Sequence, residues 1–90
     1  MPKQLHVYFS GNVQGVGFRY ATRQMANQYH ITGWVKNLRD GRVEMLAEGD
    51  RPEVEEFLKA LLQGMDRYIS DSEAEWGDAP RQFSLFEVIH

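Results

Sequence analysis

The chain contains no cysteine among its 90 residues, which excludes disulfides and thiolate zinc sites and permits a reducing compartment. Its three histidines, His6, His30 and His90, are scattered. With no His-x-x-x-His spacing and no carboxylate cluster between them, a metal site is not expected, and each reads as an ordinary surface or half-buried residue. The opening Met-Pro-Lys-Gln-Leu-His has no apolar leader core, and no run approaches the length of a membrane span. No membrane partner is expected, and a soluble cytoplasmic protein is the default reading. An excess of basic residues is also missing: the formal charge is −3 and the pI about 5.5. That argues against nucleic acid as a partner, because broad nucleic-acid binding needs a basic face. An anionic ligand would have to be captured locally. The length leaves no room for a second core, so residues 1–90 read as one domain.

What the chain does have is glycine concentrated in one place. Leu5, Val7 and Phe9 alternate with His6, Tyr8 and Ser10, the period of a strand with one buried face. This strand runs into Gly11-Asn12-Val13-Gln14-Gly15-Val16-Gly17-Phe18-Arg19, and from Phe18 the apolar residues Phe18, Ala21, Met25 and Tyr29 follow helical steps toward an end near His30. Glycines at 11, 15 and 17 let the backbone turn through positive φ and approach a ligand without Cβ interference. A helix starting at Phe18 adds unpaired N-terminal amides and the positive end of its dipole, which favour a phosphate or carboxylate. Arg19 at that junction can hold two phosphate oxygens at once. The plainer alternative is a glycine-rich turn followed by a solvated arginine. Position 20 is Tyr20 rather than the third glycine of a dinucleotide fingerprint, and no Gly-Lys-Ser/Thr follows Gly11 as in a Walker loop. Arg23 lies about 6 Å further along the helix axis and reads as solvated.

Ile31 to Leu38 reads as a second strand, with Trp34 and Lys36 on one face and Val35 and Asn37 on the other. Trp34 there reads as packing rather than ligand stacking. Asp40-Gly41 is a hairpin signal. Val43, Met45 and Ala47 then alternate with Glu44, Leu46 and Glu48 as strand three. Asp50 is placed to cap a helix with Glu53 reaching back, Pro52 is tolerated in the first turn, and Gly64 is placed to end it. Val54, Phe57, Leu58, Leu61 and Leu62 form its core stripe. Tyr68 to Trp76 reads as an exposed, acidic edge strand, Gly77 to Pro80 as a loop, and Phe83 to Ile89 as a last short strand.

Two stretches carry a family resemblance. Gly11-x-Val13-Gln14-Gly15-Val16-x-Phe18-Arg19 resembles the first signature of the acylphosphatases, and Gly33-Trp34-Val35-Lys36-Asn37-x-x-x-Gly41-x-Val43, with Gly49 beyond it, resembles the second. The resemblance runs from about Val7 to Gly64. After that, acylphosphatases have a more apolar fourth strand than this chain, which leaves the limits and register of that strand open. Periodicity supplies the order strand, helix, strand, strand, helix, strand. The resemblance implies the α+β ferredoxin-like sandwich (βαββαβ), with an antiparallel sheet, both helices on one face and a short extra C-terminal strand.

The resemblance also implies hydrolysis of acyl phosphates to carboxylate and inorganic phosphate, without metal or cofactor. In that reading the backbone of Asn12, Val13, Gln14, Gly15, Val16, Gly17 and Phe18 cradles the phosphoryl oxygens, Arg19 grips them and Asn37 holds the attacking water. The partners implied are a small acyl phosphate and inorganic phosphate as product and weak inhibitor, with a monomer expected. For Asn37, the ordinary reading is an asparagine closing a strand before a turn. Two other functions fit the element order: a non-catalytic ferredoxin-like module binding single-stranded RNA or a regulatory ligand, and the acylphosphatase-like domain that opens larger hydrogenase-maturation carbamoyl transferases. Acidic strand three disfavours the first. The length and the missing zinc-finger cysteines disfavour the second.

Overall fold

The computed structural model describes residues 3–90. Its elements are β1 (Lys3–Gly11), α1 (Phe18–Gln28), β2 (Thr32–Asn37), β3 (Val43–Gly49), α2 (Arg51–Gly64), β4 (Ile69–Asp78) and β5 (Phe86–Ile89). The sheet order is β4-β1-β3-β2-β5. The first four strands pair antiparallel, as the ferredoxin-like sandwich requires, and β5 joins β2 in parallel, which makes the sheet mixed.

The two-residue period of the strands sorts the side chains between faces. Leu5, Val7 and Phe9 of β1 lie opposite Ala47, Met45 and Val43 of β3. These residues and Val35 of β2 are buried with Phe18 and Ala26 of α1 and with Val54, Phe57 and Leu61 of α2. Each large side chain in this layer contributes about 1.5–3 kcal/mol by leaving water.

The helix faces differ in detail from the sequence reading. The fully buried line of α1 is Phe18, Thr22 and Ala26, with Ala21, Met25 and Tyr29 half-buried beside it. Thr22 escapes an apolarity count because its hydroxyl donates to the Phe18 carbonyl at 2.8 Å, which satisfies it inside the core. The α1 helix stops where His30 adopts φ 58°, letting the Ile31 N–H reach back to the Ala26 carbonyl at 2.9 Å. At α2, the expected capping box is not formed: Asp50 has extended N-cap geometry but makes no side-chain cap bond. Gly64 is the last helical residue, and Met65 follows it with negative φ, so glycine is not used there as a left-handed cap.

The fourth strand extends through Gly77 and Asp78, which the sequence reading assigned to a loop, because both pair with β1, opposite Gln4 and Lys3. Its register is interrupted by an irregularity at Ser10 and Gly11. The last strand is shorter than expected and begins only at Phe86. Glu48 departs furthest from its expected place. Strand alternation puts it with Glu44 on the face away from the helices, yet Glu48 is fully buried.

Candidate active site

The glycine loop is shaped by two left-handed residues, Gly15 and Gly17, both at φ 77°. Gly17 is also the N-cap of α1 and offers no side chain to the helix amides. The first helical bond runs from the Ala21 N–H to the Gly17 carbonyl at 3.0 Å. Among the described residues, no backbone hydrogen bond uses the N–H groups of residues 12–17. Free amides therefore surround a helix N-terminus that has no acidic residue in its first turn.

Three contacts fix the loop. Val13 and Phe18 are buried, with the Phe18 ring 5.1 Å from that of Phe9. The Gln14 side-chain amide donates to the carbonyls of Leu38 and Arg42, at 2.7 and 2.9 Å. Gln14 thus ties the loop to the β2–β3 turn, a role for its side chain that the sequence reading, which used only its backbone, did not find.

That tie matters because Asn37 ends β2 immediately before this turn. It shares the helix-side face with Val35 and lies opposite Val43. A recess of about 190 Å³ is lined by Val13, Gly15, Gly17, Phe18, Arg19, Tyr20 and Asn37. A second, of about 320 Å³, is bounded by Arg19, Lys36, Asn37, Ile89 and His90. Arg19 and Asn37, 18 positions apart in sequence, thus border both. The Asn37 side-chain oxygen is buried and has no hydrogen-bond partner among the described residues. An unpaired buried acceptor costs about 1–3 kcal/mol, so its position invites a donor such as water.

Arg19 is also positioned from outside the loop: its Nη1 donates to the Ile89 carbonyl at 2.9 Å. Nothing in the local sequence signals this, because it depends on β5 lying beside β2. Asn12 and Val16 remain at the loop surface, Asn12 exposed and Val16 half-buried against the core. Arg23 stacks over Tyr20, 5.4 Å from the ring centroid, and lines neither recess. A larger recess, of about 680 Å³ between α2 and β4, is lined by Leu5, Leu58, Leu62 and Trp76. It lacks the convergent free amides of the glycine loop, so the smaller pair is the better anion site.

On the opposite sheet face, the half-buried Trp34 ring lies edge-on to His6 at 6.2 Å, with the Lys36 ammonium over it 5.2 Å from the ring centroid. His6, Tyr8 and Lys36 converge on Glu44 at 2.5, 3.2 and 3.6 Å. Burial opposes ionisation of Glu44, but its hydrogen bonds from His6 and Tyr8 and the charges of Lys36 and His6 outweigh that and hold its pKa below the usual carboxylate value. An anionic residue at the centre of the aromatic cluster disfavours RNA stacking there. No group of three or more His, Cys, Asp or Glu residues among those described is arranged to hold a metal.

The acylphosphatase family model matches residues 5–88. The chain is 44% identical over 85 residues to an acylphosphatase of Trichormus variabilis, covering 94% of this chain and 84% of that one. It is also 44% identical over 88 residues to an acylphosphatase of Alcanivorax borkumensis, covering 92% and 95% respectively. The crystal structure of acylphosphatase from Bacillus subtilis superposes with a TM-score of 0.91 at 34% identity, covering 98% of this chain and 99% of that one. An 84-residue family match, close relatives of nearly equal length and the same fold agree: the chain belongs to the acylphosphatase family of hydrolases.

Proposed function

We propose that this enzyme hydrolyses acyl phosphates without a metal ion. The phosphoryl group occupies the glycine-loop recess, its oxygens held by the backbone amides of residues 12–18 and by Arg19. The attacking water is held by Asn37. The observation that carries this reading is the buried Asn37 oxygen, without a hydrogen-bond partner among the described residues, in the same recess as Arg19 and the glycine loop.

Water attacks phosphorus, the bond from phosphorus to the acyl oxygen breaks, and the carboxylate leaves with the bonding electrons. The water proton passes to a phosphate oxygen of the substrate, since asparagine is no base near neutral pH. A carboxylate is a good leaving group, so the protein's task is to gather charge and place water. Preorganised donors of this kind supply about 3 kcal/mol each. Residues 1–90 act as one domain and as a monomer in the cytoplasm, and free phosphate competes weakly as product. Among the described residues, no helix is long and apolar enough to cross a membrane.

Incubation with benzoyl phosphate and with p-nitrophenyl phosphate, each with and without EDTA, tests the reading. Rapid hydrolysis of the acyl phosphate alone, unchanged by chelator, is expected. Equal hydrolysis of the acyl phosphate and the phosphate ester, or loss in EDTA restored by magnesium or zinc, would overturn it.

A further inference from the structure

Among the described residues, Glu48 is the only charged side chain that is fully buried, at 0% exposure, and the proposed phosphate site makes no direct use of it. One carboxylate oxygen accepts the Gln82 N–H at 2.9 Å and the Gln4 side-chain amide at 3.2 Å. The other accepts the Phe83 N–H at 3.1 Å and the Thr32 hydroxyl at 3.2 Å. Each oxygen thus takes one backbone amide from the segment between β4 and β5 and one side chain from the sheet. Gln4 also donates to the Gln82 side chain at 3.4 Å.

The segment 79–85 must cross from β4 at one edge of the sheet to β5 at the other. It has no helix or strand of its own, and Arg81, Gln82, Ser84 and Leu85 are exposed. Its crossing is therefore fixed mainly by polar bonds, and Glu48, in β3 at the middle of the sheet, supplies the acceptors. At the end of the crossing, the Leu85 carbonyl accepts the Gly33 N–H at 3.0 Å; beyond it, Phe86 is buried and the Ile89 carbonyl accepts Arg19.

We propose that Glu48 is a positioning residue for the phosphate site. By holding the 79–85 segment across the sheet, it sets β5 beside β2 and so places the Ile89 carbonyl that aims the Arg19 guanidinium. This inference rests on the acyl-phosphate reading above. Only a carboxylate suits the position, because glutamine would turn its own amide hydrogens toward donors and leave a buried N–H unpaired.

The test is a double-mutant cycle of Glu48→Gln with Arg19→Lys, read as kcat/KM for benzoyl phosphate in buffer where urea titration shows each protein folded. Glu48→Gln is expected to lower kcat/KM about tenfold in the wild-type background and less than about twofold beside Arg19→Lys, whose ammonium has no fork to aim. A purely structural role would move the urea midpoint and leave kcat/KM of the folded enzyme alone. Wild-type kcat/KM in folded Glu48→Gln, or the same tenfold loss in both backgrounds, would overturn the proposal. If Glu48→Gln does not fold, Gln82→Pro, which deletes one amide donor from an exposed residue, is read by the same criteria. If the wild type does not hydrolyse benzoyl phosphate, the acyl-phosphate reading fails and amide exchange decides for Glu48. Faster exchange at residues 86–89 with α2 unchanged supports the coupling, and unchanged exchange rejects it.

Discussion

Arg19 donates from Nη1 to the Ile89 carbonyl at 2.9 Å, so the cation of the glycine-loop recess is aimed by the last strand of the sheet. One guanidinium nitrogen is committed to the protein, and the rest of the planar fork remains for an anion. Positioning by a backbone carbonyl brings no competing carboxylate onto the guanidinium, which suits the phosphate role proposed for it.

Arg19→Lys therefore removes more than a second hydrogen bond. Lysine keeps the charge but has no rigid fork to be anchored at one nitrogen while presenting the others. The expected loss in kcat/KM is at least about 2 kcal/mol, roughly thirtyfold, with free phosphate also competing less well. Wild-type kinetics in the folded variant, measured with benzoyl phosphate, would reduce Arg19 to a surface residue.

Two glycines should respond very differently to alanine. At Gly33, with φ +137°, an added Cβ would lie 1.9 Å from the Leu46 carbonyl oxygen, so β2 and β3 would have to separate. At Gly15, with φ +77°, no atom lies within 4 Å of the new Cβ. Gly15→Ala is thus expected to cost only about 1–2 kcal/mol of left-handed strain, whereas Gly33→Ala should exceed that by at least ~2 kcal/mol or fail to fold. Urea midpoints of the two variants decide; equal midpoints would mean that the β2–β3 contact is not rigid.

The contrast between these glycines reflects what a sequence carries. The loop glycines, Arg19 and Asn37 are legible as candidates because they sit in two dense motifs, and the structure brings Gly15, Gly17, Arg19 and Asn37 to one recess; the order of elements is legible because period-two and helical stripes are local. Contacts set by topology were not. Gln14 reaches Leu38 and Arg42 only because the loop and the β2–β3 turn meet in space. Glu48 looked like an exposed strand residue because alternation cannot show that a distant segment will cover it. Thr22 drops out of an apolar pattern because its bond to the Phe18 carbonyl is not visible in the sequence. The end of β4 is likewise hidden from sequence, since Gly77 and Asp78 are held by pairing with β1 rather than by their own strand propensity.

Acid should weaken the fold through Glu44 and Glu48. Burial alone would raise the Glu48 pKa, but the amides of Gln82 and Phe83, with Gln4 and Thr32, outweigh it and hold the value low. Glu44 is likewise depressed, its burial outweighed by His6, Tyr8 and Lys36. A carboxyl with a lower pKa folded than unfolded binds fewer protons in the native state, so its contribution is present above the unfolded value, about 4.3. It is then lost as pH falls through the lower folded value. Urea midpoints should therefore drop below pH 4, and a folded Glu48→Gln variant should show a shallower acid limb. A variant whose midpoint falls as steeply as the wild type would exclude Glu48 as a source of the pH dependence.

Asn37→Asp should damage activity far more than its near-identity of shape suggests. A residue that only closes β2 before a turn would tolerate the change, because asparagine and aspartate share turn preferences. Here, however, the side-chain oxygen is buried without a partner among the described residues, and Asn37 lines the recess with Arg19 and the loop. In the proposed complex the new carboxylate replaces an amide donor and adds a second anion beside the phosphoryl group; for a separation of about 5 Å and an effective dielectric of about 20, the repulsion is about 3 kcal/mol per pair of unit charges. A hundredfold loss in kcat/KM follows from that term alone, before any misplacement of water is counted. The loss should appear in substrate binding as well as turnover and should recede toward pH 4, as the introduced carboxylate takes up a proton. Folding has its own pH dependence through Glu44 and Glu48, so kcat/KM from pH 4 to 8 is compared with urea midpoints of both proteins at each pH. Equal activity of the two folded proteins across that range would reject water positioning by Asn37 and leave it a turn residue.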